Sequence, residues 1–142
     1  MTKIFIANDH AGFEFKNEIL KILEILEMDI VDLGTNSSSS VDYPDFANIL
    51  CKEVLNNQKS YGILICGSGI GMSIAANRHN GIRAALCNES LSAKLARKHN
   101  DANVLCLGAR LIGLEMAREI IVAFLCTSFD GERHLRRIEK LK

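Results

Sequence analysis

The stretch 63-ILICGSGIGMSIAANR-78 ends an apolar run in a cysteine and places three glycines in the next five residues. It then continues as a mixed apolar and polar segment. Read physically, it is a buried strand, a loop and the start of a helix.

The same order recurs on both sides of it. "KIFIAN" (3–8) is followed by Asp9-His10-Ala11-Gly12 and then by "FEFKNEILKILEILE" (13–27), whose apolar residues fall at helical spacing. "DIVDLG" (29–34) runs into a serine-rich loop and "DYPDFANILCKEVLN" (42–56), where Asp42 stands at a helix cap and Pro44 in the first turn. "GILIC" (62–66), "IRAALC" (82–87) and "NVLCLG" (103–108) supply three more strands. Helices are expected near 70–77, 90–99 and 113–126, with a C-terminal helix near 131–142. Continuous apolar strands alternating with helices imply a parallel sheet covered on both faces, because parallel neighbours need a crossover. The expectation is a three-layer α/β/α Rossmann-like sandwich of about five strands, in one domain spanning 1–142.

The chain has 142 residues, with 17 basic and 17 acidic side chains. This balance gives no global field to recruit nucleic acid or an anionic membrane. No apolar run approaches the roughly 18 residues of a membrane span, and no signal-peptide pattern opens the chain, so it reads as cytoplasmic. Five cysteines without CxxC or Cys/His ligand spacing favour neither a disulfide framework nor a metal site.

In parallel sheets ligands bind beyond the carboxyl ends of the strands. That rule selects Asn8 to His10, the 34–43 loop, Cys66 to Gly71, Cys87 to Ser90 and Gly108 to Gly113. The glycine loop fits three motifs poorly. Gly67 and Gly69 begin a dinucleotide fingerprint, but position 72, where a third glycine belongs, is Met, and the loop follows the third strand. A phosphate loop of the Walker type needs a Lys that is missing. A tyrosine-phosphatase loop needs an Arg six positions after its Cys, where Met72 stands, so this loop lacks its own clamp for a phosphate.

What remains is a thiol at a strand end beside successive backbone N–H groups that open a helix. Such groups attract negative charge, so they suit a thiolate at Cys66 and an oxyanion forming next to it. That arrangement serves acyl transfer or removal of a proton alpha to a carbonyl, and the residues alone do not separate the two. A buried strand-end cysteine is the bland alternative for Cys66, and a helix cap is the one for Ser68.

The landmarks "NDHAGFEFK", "DLGT…DYPDFA", "GILICGSGIGMSIAANR", "GIRAALC", "ARKHNDANVLCLGAR" and "FDGERHLRRIE" follow one another along nearly the whole chain. In that order they resemble the B-type ribose-5-phosphate isomerases and related galactose-6-phosphate isomerase subunits. The resemblance implies a cofactor-free and metal-free aldose–ketose isomerase acting on ribose 5-phosphate and ribulose 5-phosphate through an enediolate, in the pentose phosphate pathway. Galactose or allose 6-phosphate is the alternative substrate. A nucleotide-binding regulatory module is the alternative from another class.

It further implies Cys66 as the base, with Ser68 and the N–H groups of Gly67, Gly69, Ile70 and Gly71 around the enediolate. Another branch of the family has Glu where this chain has Met72 and lacks the cysteine. His99 would open the sugar ring beside Asn100, although both residues also suit a helix C-terminus. Asp9, His10 and Tyr43 would contact the sugar, and Arg110, Arg133 and Arg137 the phosphate. Arg133 and Arg137 are four apart and share a helical face. The family also implies a homodimer or dimer of dimers with sites shared between chains.

Overall fold

The computed structural model describes residues 2–142. Five parallel strands, β1 (Lys3–Asn8), β2 (Asp29–Asp32), β3 (Ser60–Cys66), β4 (Ala84–Leu86) and β5 (Val104–Gly108), form one sheet in the order β2-β1-β3-β5-β4. The helices are α1 (Phe13–Ile25), α2 (Tyr43–Asn56), α3 (Ile70–Ala76), α4 (Ser90–Asn100), α5 (Leu114–Leu125) and α6 (Arg133–Ile138). The expected α/β sandwich is therefore present. Among the described residues no helix is long and apolar enough to cross a membrane.

Alternation along the strands sorts the core into two halves, since successive side chains point to opposite faces. Ile4, Ile6, Ile63, Ile65, Leu105 and Leu107 face one way and pack with Ile19 and Leu23 of α1, Ala93 of α4, and Ile120 and Phe124 of α5. Phe5, Ala7, Leu64, Cys66, Val104 and Cys106 face the other way and meet Leu50 and Val54 of α2 and Met72 and Ala76 of α3. This is why β1, β3 and β5 read as unbroken apolar runs.

Several boundaries differ from the sequence expectation. β4 covers 84–86 rather than 82–87; Asn77 pairs with Ala84 through its side chain, donating to the carbonyl at 3.0 Å and accepting the N–H at 2.8 Å. This amide occupies part of the sheet edge. α6 spans Arg133–Ile138, shorter than 131–142. Asp42 holds the cap position of α2, but its side chain makes no capping bond there.

Candidate active site

From β1 the chain moves out to β2, then crosses back to β3 and continues toward the opposite edge. Neighbouring crossovers diverge at β1 and β3, which leaves a crevice at their carboxyl ends. Three loops are laced together there. The Asp9 N–H donates to the Ile65 carbonyl at 3.2 Å, that of Ala109 to the Cys66 carbonyl at 2.9 Å, and that of Arg110 to the Gly67 carbonyl at 3.0 Å. Between them lies a cavity of about 390 Å³ lined by Asp9, His10, Tyr43, Cys66, Gly67, Ser68, Gly71 and Arg110, together with Ala11 and Leu111.

Cys66 ends β3 and is 5% exposed. Its Sγ accepts the Gly69 N–H at 3.1 Å. Gly69 has φ of 78°, and a Cβ there would lie 2.6 Å from Leu86 Cδ1 and 2.9 Å from the Leu107 carbonyl carbon. Only glycine suits both the left-handed backbone and the close approach. Gly69, not Ser68, caps α3; the Ser68 Oγ accepts the Ile70 N–H at 3.2 Å. Two of the backbone donors expected around an oxyanion are thus engaged, which leaves Gly67, Ser68 and Gly71 as the loop's donors for that task.

Tyr43 lies against the first turn of α3, where a Cβ on Gly71 would come 2.6 Å from its Cε1. Arg110 covers the loop from the other side, its Nη1 3.3 Å from where a Cβ on Gly67 would stand. The guanidinium that the glycine loop lacks in its own segment is therefore supplied by the β5–α5 turn. Met72 is fully buried in the apolar cluster that holds Cys66. The position that breaks the dinucleotide fingerprint is thus a core contact.

The other cysteines divide by burial. Burial pushes the Cys51 thiol up to about 12 and the Cys87 thiol to about 11, and raises that of Cys106 well above its usual value. These three stay protonated at neutral pH and pack as small hydrophobes. Cys126 is exposed on the surface.

His99, Asn100 and Arg137 line a second hollow of about 240 Å³, with His134, Ile138 and Leu141, and it shares no lining residue with the first. One chain therefore brings Cys66 together with Asp9, His10, Tyr43, Ser68 and Arg110 but holds the His99 group apart. The helix end behind this second group is tied down by Arg97. Arg97, 4% exposed, donates to the Ala102 carbonyl at 2.6 Å, to Asp101 at 2.9 Å and to the Thr127 carbonyl at 3.2 Å, under the rings of Tyr61 and Phe124. Asp101, with φ of 45°, closes α4, so Asn100 is its last helical residue rather than its cap.

His134 is the member of this group that the sequence reading missed. Its ring stacks on that of His99 with centroids 4.6 Å apart, and its only sequence signal is a place between Arg133 and Arg137. Desolvation first, then the charges of Arg133, His99 and Arg137, lower its pKa from the ordinary histidine value. His99, Asp130 and His134 offer ligand atoms within 4.8 Å of one another, a donor set able to take a divalent ion. The two guanidinium groups set a positive field there that suits an anion better.

A larger hollow, about 500 Å³, opens by the β4 edge among Asn77, Arg78, His79, Arg83 and Lys142. Three of its side chains are already engaged: Arg83 donates to the Asn100 and Asp101 carbonyls, Asn77 binds Ala84, and His79 meets Asn48.

Known proteins resemble this chain over nearly its whole length. The chain is 45% identical to ribose-5-phosphate isomerase B of Escherichia coli over 141 residues, covering 99% of this chain and 95% of that one. The crystal structure of a ribose 5-phosphate isomerase from Thermotoga maritima superposes with a TM-score of 0.96 at 53% identity, covering 99% of this chain and 97% of that one. The type B enzyme of Trypanosoma brucei gives a TM-score of 0.96 at 49% identity, covering 100% and 98%. The sequence profile described as Ribose/Galactose Isomerase matches residues 4–141, and the chain belongs to that family.

Proposed function

We infer that this protein interconverts D-ribose 5-phosphate and D-ribulose 5-phosphate as a sugar-phosphate isomerase. Relatives bearing that name span nearly the whole chain. The observation that carries the chemistry is the Cys66 sulfur held by the Gly69 N–H on the wall of a cavity that also receives Arg110.

In this reading the Cys66 thiolate takes the proton from C2 of the open-chain aldose. The C2–H electron pair forms a C1=C2 double bond, and the carbonyl pair moves onto O1. Loop N–H groups and the Ser68 hydroxyl stabilise that enediolate, as oriented donors do for developing oxyanions. After a proton passes from O2 to O1, the thiol returns its proton to C1 and O2 becomes the ketone oxygen. Asp9, His10 and Tyr43 hold the hydroxyls, and Arg110 binds phosphate.

The separation of the His99 group calls for a second copy of the chain. Beside the Cys66 cavity Ile70, Ile74 and Leu111 are 50%, 52% and 59% exposed, a run of apolar surface suited to burial against a partner. In a homodimer, His99, Asn100, Arg133 and Arg137 of one protomer would complete the cavity of the other, His99 protonating the ring oxygen and the arginines sharing the phosphate. Free thiols at all five cysteines suit a reducing, cytoplasmic setting.

The test is turnover by Cys66→Ala. Loss of turnover with retained stabilisation by ribose 5-phosphate supports the assignment, and native turnover overturns it. Parallel assays with galactose and allose 6-phosphates decide the substrate, and a melting shift with nucleotide but none with sugar phosphate would reassign the cavity.

A further inference from the structure

Lys16 lies in the first turn of α1 with 1% of its side chain exposed. Keeping an ammonium out of water is costly unless each of its donors is matched. Here its Nζ sits 3.1 Å from a carboxylate oxygen of Asp32, 2.9 Å from the Thr35 carbonyl and 3.3 Å from Asn36 Oδ1. All of these partners belong to the end of β2 and the start of the loop that follows it.

That loop, residues 33–42, has little structure of its own, and its four serines are exposed. Its first residues are also tied to β1, through the Leu33 N–H to Ile6 and a mutual contact of Thr35 with Asn8. At its far end the Val41 N–H donates to His10 Nδ1 at 3.2 Å. Such a bond requires an unprotonated Nδ1, so the ring proton is on Nε2. His10 and Tyr43, the residues on either side of this contact, both line the Cys66 cavity.

We propose that Lys16 is a positioning residue for substrate binding: by anchoring the 33–42 loop it keeps Val41 on His10 and so holds His10 as the Nε2–H donor in the cavity. The loop thereby fixes one hydrogen-bond donor, His10, for the sugar phosphate. This rests on the reading of the cavity as the substrate site. The ammonium's three matched partners and the single tautomer of His10 are one construction, built from opposite ends of the loop. A packed apolar side chain at position 16 would fill the space but remove the one group that joins Asp32, Thr35 and Asn36, leaving the loop start only its β1 contacts and the Gly34 N–H on Asp32.

The experiment compares Lys16→Met, Lys16→Arg and Asp32→Asn with the native protein, reading KM and kcat for ribose 5-phosphate and the ring nitrogen resonances of His10 at about pH 8. In Lys16→Met we expect a mixture of His10 tautomers, a KM raised about tenfold and a kcat within about threefold of native. Lys16→Arg should restore much of both. Asp32→Asn should shift them the same way by less, and it carries the test if Lys16→Met does not fold. A native KM with a single His10 tautomer, whatever the melting temperature, overturns the proposal. A raised KM with the tautomer unchanged overturns the route through His10. A mixed tautomer at native KM would instead remove His10 from substrate binding, a failure of the underlying reading that the other outcomes do not share.

Discussion

The Gly69 N–H points at the Cys66 sulfur, 3.1 Å away, from a backbone in the left-handed region. One residue thus sets both the start of α3 and the environment of the thiol. Its lack of a side chain lets it fit between Leu86 and the β5 backbone.

Gly69→Ala should therefore damage fold and activity together. Left-handed backbone costs a residue with a Cβ about 1–2 kcal/mol, and forcing a methyl against Leu86 and Leu107 adds about 1–3 kcal/mol. Denaturant unfolding should register the sum. Turnover in the folded fraction should fall at least about tenfold as the N–H leaves the sulfur. Native activity in a destabilised variant would show that this N–H has no part in the reaction.

Alkylation should sort the thiols. Cys51, Cys87 and Cys106 are buried and held protonated, so iodoacetamide at neutral pH should leave them unmodified. Cys126 should react without effect on turnover. Modification of Cys66 should track inactivation and be slowed by ribose 5-phosphate, as peptide mapping would show. Equal loss of activity in a Cys66→Ser background would be meaningless, so the control is Cys126→Ser, which should inactivate at the native rate.

His134 makes stability depend on pH with a definite sign. Its pKa in the folded chain lies below the ordinary 6.5, so the unfolded chain binds more protons as the medium becomes acidic. Its contribution is fully present above the unfolded value and is lost as pH falls through that value toward the folded one. Unfolding midpoints measured between about pH 8 and pH 5 should decline, and His134→Gln should flatten the decline. An unchanged slope in the variant would assign the effect to another group.

Arg97 anchors the helix end that carries His99 and Asn100. Arg97→Met keeps an unbranched apolar side chain but removes the guanidinium that lies over Tyr61 and Phe124 and donates to Thr127, Asp101 and Ala102, which should cost about 2–3 kcal/mol. Because the loss is at the C-terminal end of α4, the ring-opening step should suffer more than turnover of the open-chain sugar. Comparing the loss of rate from ribose 5-phosphate, which enters as a ring, with the loss from ribulose 5-phosphate, which is open-chain, checks this.

Much of the fold was legible because β1, β3 and β5 are central, buried on both faces and so continuously apolar. β4 was overrun at both ends because Ile82 and Cys87 are buried although they lie outside the strand. For the site, strand ends alone selected Asp9, His10, Cys66 and Arg110. What pattern could not give was three-dimensional: Arg110 laid over Gly67, His134 stacked on His99, and Lys16 tying a loop together. Each depends on residues far apart in sequence, and no periodicity records such contacts.

The separation of the Cys66 and His99 hollows allows a sharp test of the proposed shared site. If Cys66 of one protomer works with His99 of its partner, Cys66→Ala and His99→Asn each damage both sites of their own dimers. Mixed and allowed to exchange subunits, they form hybrids in which one site carries both changes and the other carries neither. With equal amounts and random pairing, half the dimers are hybrids, each with one intact site. The mixture should therefore recover about a quarter of native turnover on cyclic ribose 5-phosphate. If both groups acted within one chain, every site in every dimer would stay defective and mixing would recover nothing. Ile74→Arg, placed on the exposed face of α3, should block recovery and shift the protein toward monomer in sedimentation.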